Sequence, residues 1–232
     1  MAPARLAGIL SASATICMVG SASAGFFAGG DGPSGTIDQM MVGDGYFDFS
    51  TGGGFDFVDI VSVSNPPLGT VVDLFVDVPG VETTGALLEW TASDGATATF
   101  NSATLLELYS GLPAGFDGAF AGQRLTFTTS VAVEVNISSL LSTQGNGVGF
   151  FYNYQPDNYE PVIFFGDFDY SITLEAGTST IAWGVLGALD EAGNPATAEM
   201  LSTVSLTLVP APGSIALLGV AGLLGARRRR TV

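Results

Sequence analysis

Between Arg124 and Ile137 the side chains alternate without a break, and no other feature constrains the fold as strongly. Leu125, Phe127, Thr129, Val131, Val133, Val135 and Ile137 occupy the odd positions, while Arg124, Thr126, Thr128, Ser130, Ala132, Glu134 and Asn136 occupy the even ones. A period of two sends these sets to opposite faces of a strand, whereas a helix would scatter both around its surface. Shorter versions recur at Val72, Leu74, Val76 and Val78 (with Phe75 between Asp73 and Asp77), at Phe168 to Glu175, and at Thr203 to Leu208. Weaker strand segments run over Phe57–Val63, Leu87–Ser93, Val148–Tyr154 and Thr180–Leu186.

Turn chemistry separates these segments. Gly52-Gly53-Gly54, Asn65-Pro66-Pro67, Gly145-Asn146-Gly147 and Glu191-Ala192-Gly193-Asn194-Pro195 all combine residues that accept positive φ or have φ preset. No long, capped amphipathic helix is visible; Leu105–Tyr109 and Ser138–Ser142 suit single helical turns. Many short strands with few helices predict an all-β, antiparallel sandwich or jelly roll over 36–208, preceded by a flexible lead over 25–35. Trp90 and Trp183 fall in strand-like segments and are expected in its core.

The two ends carry a different message. Arg5 is followed by an apolar, small-residue stretch and then by Ala22-Ser23-Ala24. A positive start, a short apolar core and an A-x-A site describe a secretory signal peptide over 1–24, cleaved by signal peptidase to leave Gly25 as the new N-terminus. The sole cysteine, Cys17, lies inside it, so the exported chain has no disulfide or thiol chemistry. At the other end Val209-Pro210-Ala211-Pro212-Gly213-Ser214 breaks the chain, Ile215 to Ala226 is wholly apolar, and Arg227, Arg228, Arg229 and Arg230 follow. Twelve helical residues rise about 18 Å, short of the roughly 30 Å hydrocarbon core of a bilayer. A transmembrane helix here is therefore a transient stop, with the arginines kept on the cytoplasmic side.

This segment, 209–232, resembles the PEP-CTERM sorting signal of exported bacterial proteins: Val-Pro-Glu-Pro-Ser, a short apolar helix, then arginines. The chain departs from that pattern at Ala211, where the acid stands, and at Gly213, which precedes the serine. The resemblance implies recognition by an exosortase, transient membrane contact through the helix, and delivery to the bacterial cell surface or extracellular matrix. It implies nothing about the domain between.

Charge and residue content exclude several functions for that domain. All 22 acidic residues lie between Asp31 and Glu199, where Arg124 is the one base, a balance of −21. Such a surface repels nucleic acid and anionic lipid. With histidine and lysine absent, serine or cysteine triads lack their base and a phosphate-binding loop lacks its cation. Asp31-Gly32 and Gly43-Asp44-Gly45 resemble pieces of calcium loops without EF-hand spacing, and read as turns. Carboxylates alone can hydrolyse glycosides, for which Glu89 and Glu134 are the candidates.

One cluster has binding character. Tyr154, Asp157, Tyr159 and Glu160, continued by Asp167 and Asp169, offer aromatic rings beside carboxylates and amides. Oxygens of this kind suit calcium, and rings beside polar groups suit sugars. The expectation is a secreted, non-enzymatic surface or matrix protein without a cofactor, calcium being the one ion that loop suits. The alternatives are a calcium-dependent carbohydrate-binding or adhesion module on extracellular polysaccharide, or a glycoside hydrolase.

Overall fold

A computed structural model describes residues 33–48, 54–155 and 158–209, with 54, 55, 155 and 158–161 described as backbone alone. Twelve strands follow in order: β1 (Gly35–Asp48), β2 (Gly54–Ser64), β3 (Val71–Val78), β4 (Glu82–Ser93), β5 (Thr97–Leu108), β6 (Gly118–Thr129), β7 (Val133–Gln144), β8 (Asn146–Gln155), β9 (Asn158–Phe164), β10 (Phe168–Leu174), β11 (Gly177–Ala188) and β12 (Ala196–Leu208). They form two six-stranded antiparallel sheets, a front sheet in the order β2-β1-β6-β11-β8-β9 and a back sheet in the order β10-β7-β12-β5-β4-β3. The fold is thus all-β and sandwich-like. Among the described residues no helix is long and apolar enough to cross a membrane.

Alternation explains the packing. In β6, Ala119, Ala121, Leu125 and Phe127 point inward, as do Val133, Val135 and Ile137 in β7 and Val204, Leu206 and Leu208 in β12. Trp90 and Trp183 are both fully buried in this core, where the sequence places them. Trp90 stacks on Phe100 with centroids 5.7 Å apart, and Trp183 donates its Nε1–H to Ser102 Oγ across the sheets at 2.9 Å. Gln123 also crosses from the front sheet. The two N–H groups of its side-chain amide nitrogen, Nε2, are shared among the carbonyls of Leu87 and Ala103 at 3.2 and 2.9 Å and Thr104 Oγ1 at 2.9 Å. Phe164 and Phe168 stack at 4.1 Å where the edge strands β9 and β10 meet, closing that side.

The structure corrects three readings. The run from Arg124 to Ile137 is two strands in different sheets: β6 ends at Thr129, and Ser130, Val131 and Ala132 carry the chain across to β7. The crossing preserves parity, since odd residues face the core on both sides, and so it leaves no mark in the pattern. Leu105–Leu108 and Ser138–Ser142 are strand, in β5 and β7, because pairing with β12 satisfies their backbone. Gly43-Asp44-Gly45 is no turn; it lies within β1, paired with β2 and β6, with a register shift between Asp44 and Gly45.

Candidate functional site

The predicted cluster divides between the sheets. Tyr154 lies near the end of β8 on the outer face of the front sheet and is more than half exposed; the register pairs it with Tyr159 of β9. Asp157 lies outside the described residues, and Tyr159 and Glu160 are described by backbone only. Asp167 sits in the link to β10, exposed, and accepts the N–H of Leu141 at 3.1 Å, which ties the link to β7. Asp169 is on β10, on the outer face of the back sheet, where it lines a shallow groove of about 350 Å³ with Asn136, Ile137, Tyr170, Ser171 and Thr203 among its other walls. Tyr154 and Asp169 therefore belong to different sheets. Among the described residues, no group of three or more acidic, cysteine or histidine side chains is arranged to hold a metal.

Of the terminal residues, Val209 is described: its N–H donates to Ala132 at 2.8 Å. Ala22, Ala24, Gly25, Pro210, Pro212, Gly213 and Arg227 to Arg230 lie outside the described residues. Glu89 and Glu134 both stand on the outer face of the back sheet, but β5 and β12 separate their strands. Three strand spacings put them about 14 Å apart or more, beyond the roughly 5–9.5 Å that glycoside hydrolysis requires. They do not form a catalytic pair.

A more coherent surface lies on the outer face of the front sheet. The register aligns Gln39, Thr126, Thr180 and Tyr154 in one row across β1, β6, β11 and β8. The next row is Met41, Arg124, Ala182 and Tyr152, and the one after it Gly43, Gly122, Gly184 and Phe150. The third row explains the glycines. A Cβ on Gly122 or Gly184 would come within 3.1 or 2.9 Å of the Phe150 ring, and one on Gly43 within 3.0 Å of Phe57. The rings settle into the space, so Phe47, Phe120, Phe150 and Leu186 form a small second core on the outside of the sheet. This core props Tyr152, whose ring lies nearly parallel to that of Phe150 at 6.3 Å.

Arg124 stands at the centre of this face, half-buried, in a narrow cleft with Met41, Gly122, Tyr152 and Ala182. Its Nη2 donates to Gln39 Oε1 at 3.3 Å, and its Nε is sealed from solvent with no hydrogen-bond partner. Beyond Arg124 a hydroxyl ladder continues the surface: Thr126 with Thr180 at 3.1 Å, and Thr128 with Thr178 at 2.8 Å and with Asp38 at 2.6 Å. The sequence marked Arg124 as the one base between Gly25 and Val209, but nothing local signalled its company, which arrives from three other strands.

A second polar group, inside the sandwich, also escaped the sequence reading. Asp44 of β1 and Glu82 of β4 belong to opposite sheets and are 3% and 5% exposed. Thr84 donates its hydroxyl to Asp44 Oδ2, and the Asp59 N–H donates to Oδ1 at 3.2 Å. Tyr46 donates its hydroxyl to Glu82 Oε1 at 2.8 Å, whereas Glu82 Oε2 is buried without a partner. Burial raises both carboxyls above their ordinary values; repulsion from Asp59 adds to Asp44, and repulsion from Asp44 adds to Glu82. Burial and the Glu82 carboxylate push the Tyr46 hydroxyl up to about 12. The even positions Met40, Val42, Asp44 and Tyr46 were the available signal, because inward parity makes Asp44 a core position.

No protein-family model matches the chain, and no curated protein matches it. Among solved structures, one similar chain is TmCBM61 in complex with beta-1,4-galactotriose, at TM-score 0.26 and 9% identity over 60% of this chain and 88% of that one. Another is the GH31 alpha-xylosidase Xac1773 from Xanthomonas citri, at TM-score 0.17 and 10% identity over 76% of this chain and 26% of that one. At these scores neither neighbour informs the fold or the ligand.

Proposed function

We propose that the chain is an exported, non-enzymatic protein of the cell surface or extracellular matrix, whose sandwich binds extended saccharide on the outer face of the front sheet. The observation that supports binding is the row Gln39, Thr126, Thr180 and Tyr154, which spreads amide, hydroxyl and tyrosine groups over four neighbouring strands with Tyr154 more than half exposed. A sugar offers apolar ring faces and hydroxyl edges. An exposed tyrosine meets the first and the threonine and glutamine side chains meet the second. Strand-borne groups keep their spacing, so little ordering entropy is lost on binding.

The reading of export and sorting rests on the terminal segments: signal peptidase acting after Ala24, and an exosortase acting at the PEP-CTERM-like segment that begins at Val209. The last strand, β12, ends at Leu208, so the sandwich would be held close to the surface that receives its C-terminus.

The test is retention of the purified full chain on immobilised neutral and acidic polysaccharides, with calcium and with chelator. Saturable retention that falls about two- to tenfold in Tyr154→Ala is expected, since a stacked aromatic ring contributes about 0.5–1.5 kcal/mol. Absence of retention on every polysaccharide overturns the binding reading. Loss in chelator would assign calcium to the site.

A further inference from the structure

We infer that Arg124 is the recognition residue for the anionic group, a carboxylate or sulfate ester, of an acidic saccharide lying across β1, β6, β11 and β8. This deepens the saccharide reading above and rests on it. Three observations converge.

First, charge is distributed unevenly within the front sheet, whose flanking strands β1, β2 and β9 carry acids while its middle strands do not. Every strand of the back sheet carries at least one aspartate or glutamate. The three neighbouring strands β6, β11 and β8 of the front sheet carry none, and they hold Arg124, the one basic residue among the described residues. On a chain with 22 acids, these three strands put no carboxylate beside the cation, and the acid of the adjoining ladder, Asp38 of β1, already accepts from Thr128. At physiological ionic strength, charges more than about 8 Å away are largely screened.

Second, Arg124 has unused donors. Among the described residues it bonds to Gln39 and pairs with no carboxylate, and its buried Nε–H has no acceptor. A buried donor without a partner is destabilising unless something else satisfies it. A guanidinium presents its donors as a planar fork that matches a carboxylate or sulfate bidentately.

Third, the surroundings suit a sugar better than an acidic polypeptide. Tyr152 lines the cleft, and the next row of the sheet sets the Thr126–Thr180 hydroxyls and Gln39 beside Arg124. These groups offer a ring face and hydroxyl partners on either side of one charge. They offer no further cations for a run of acidic side chains and no unpaired strand edge for a peptide backbone.

The experiment measures affinity of the purified full chain for four probes at low and moderate salt: a polyuronate such as alginate, dextran sulfate, neutral galactan, and poly-glutamate. Wild type is compared with Arg124→Gln and Arg124→Lys, and near-UV circular dichroism from buried Trp90 and Trp183 verifies the fold of each variant. The expected result is binding of polyuronate or dextran sulfate that weakens with salt and falls at least about tenfold in Arg124→Gln. Arg124→Lys retains charge without the fork and should recover only part of that loss. The better of the two anionic polysaccharides identifies the group. Anionic saccharide binding that is unchanged in Arg124→Gln, or confined to neutral galactan, overturns the inference and leaves the saccharide reading standing. Binding of poly-glutamate as tight as that of polyuronate assigns the site to acidic polypeptide and overturns it too. Binding of no probe overturns both.

Discussion

Replacing Glu82 with glutamine should flatten the dependence of stability on pH, and the reasoning runs directly from the buried pair. Asp44 and Glu82 sit inside the sandwich with raised pKa values, Glu82 having one oxygen without a partner. In the unfolded chain both titrate near the ordinary value of about 4. In the window between that value and the raised folded values, the native state holds protons that the unfolded state has released. Stability from these groups is therefore fully present below the unfolded pKa and is lost as pH rises through the folded pKa. Each proton so held gives a slope of about 1.4 kcal/mol per pH unit, so the pair can give at most about 2.8. Glu82→Gln keeps the shape and the acceptor for Tyr46 but cannot ionise, and should remove up to about 1.4 kcal/mol per pH unit within the window. Asp44→Asn should do the same, and the double variant should be nearly flat. The assay is urea unfolding followed by the fluorescence of Trp90 and Trp183 between pH 5 and pH 8. About 0.5 M salt screens the general repulsion of the acidic surface. Asp94 and Asp190, held below their ordinary values by hydrogen bonds from Ala96 and Thr97 and from Asn194, lose their contribution only as pH falls below about 4. They stay outside the window. A wild-type slope that rises with pH, or a Glu82→Gln slope equal to wild type, refutes the account.

Other substitutions test the packing. Gly184→Ala would drive a Cβ into the Ala121 carbonyl and to 2.6 Å from the Gly122 Cα, both of them backbone, and should cost about 1–3 kcal/mol or more by urea midpoint. Ser102→Ala strips the acceptor from the buried Trp183 Nε1–H at 2.9 Å and should cost about 1–3 kcal/mol, with a shift in tryptophan emission. Gln123→Met leaves the Thr104 hydroxyl and the carbonyls of Leu87 and Ala103 without their shared donor; a loss of at least about 1–3 kcal/mol is expected by the same unfolding assay. Tyr46→Phe removes the donor to Glu82 Oε1, so Glu82 should titrate still higher and the pH dependence should extend further upward.

Periodicity alone decided the class of fold and the inward side of most strands. Leu125 and Phe127, Val133 to Ile137, Val204 to Leu208 and both tryptophans face the core as the alternation demands, because a strand has only two faces and burial selects one. What alternation cannot carry is partnership. It did not reveal that the chain changes sheets at Ser130–Ala132, because the odd residues face inward on both sides of the crossing. Nor did it reveal that Gly43 and Gly45 are strand residues left bare where Phe57 and the Asp59 and Asp56 carbonyls press close. Tyr154 was singled out from its neighbours in sequence and stands exposed on the front sheet, while Asp169, fifteen positions on, belongs to the other sheet. Arg124 was legible only as an isolated charge. Gln39, Tyr152 and Ala182 reach it through pairings of β1, β6, β11 and β8, and Asp44 meets Glu82 across the two sheets. Contacts between strands far apart in the chain come from strand order and register, which are settled by the packing of the whole sandwich rather than by any local segment.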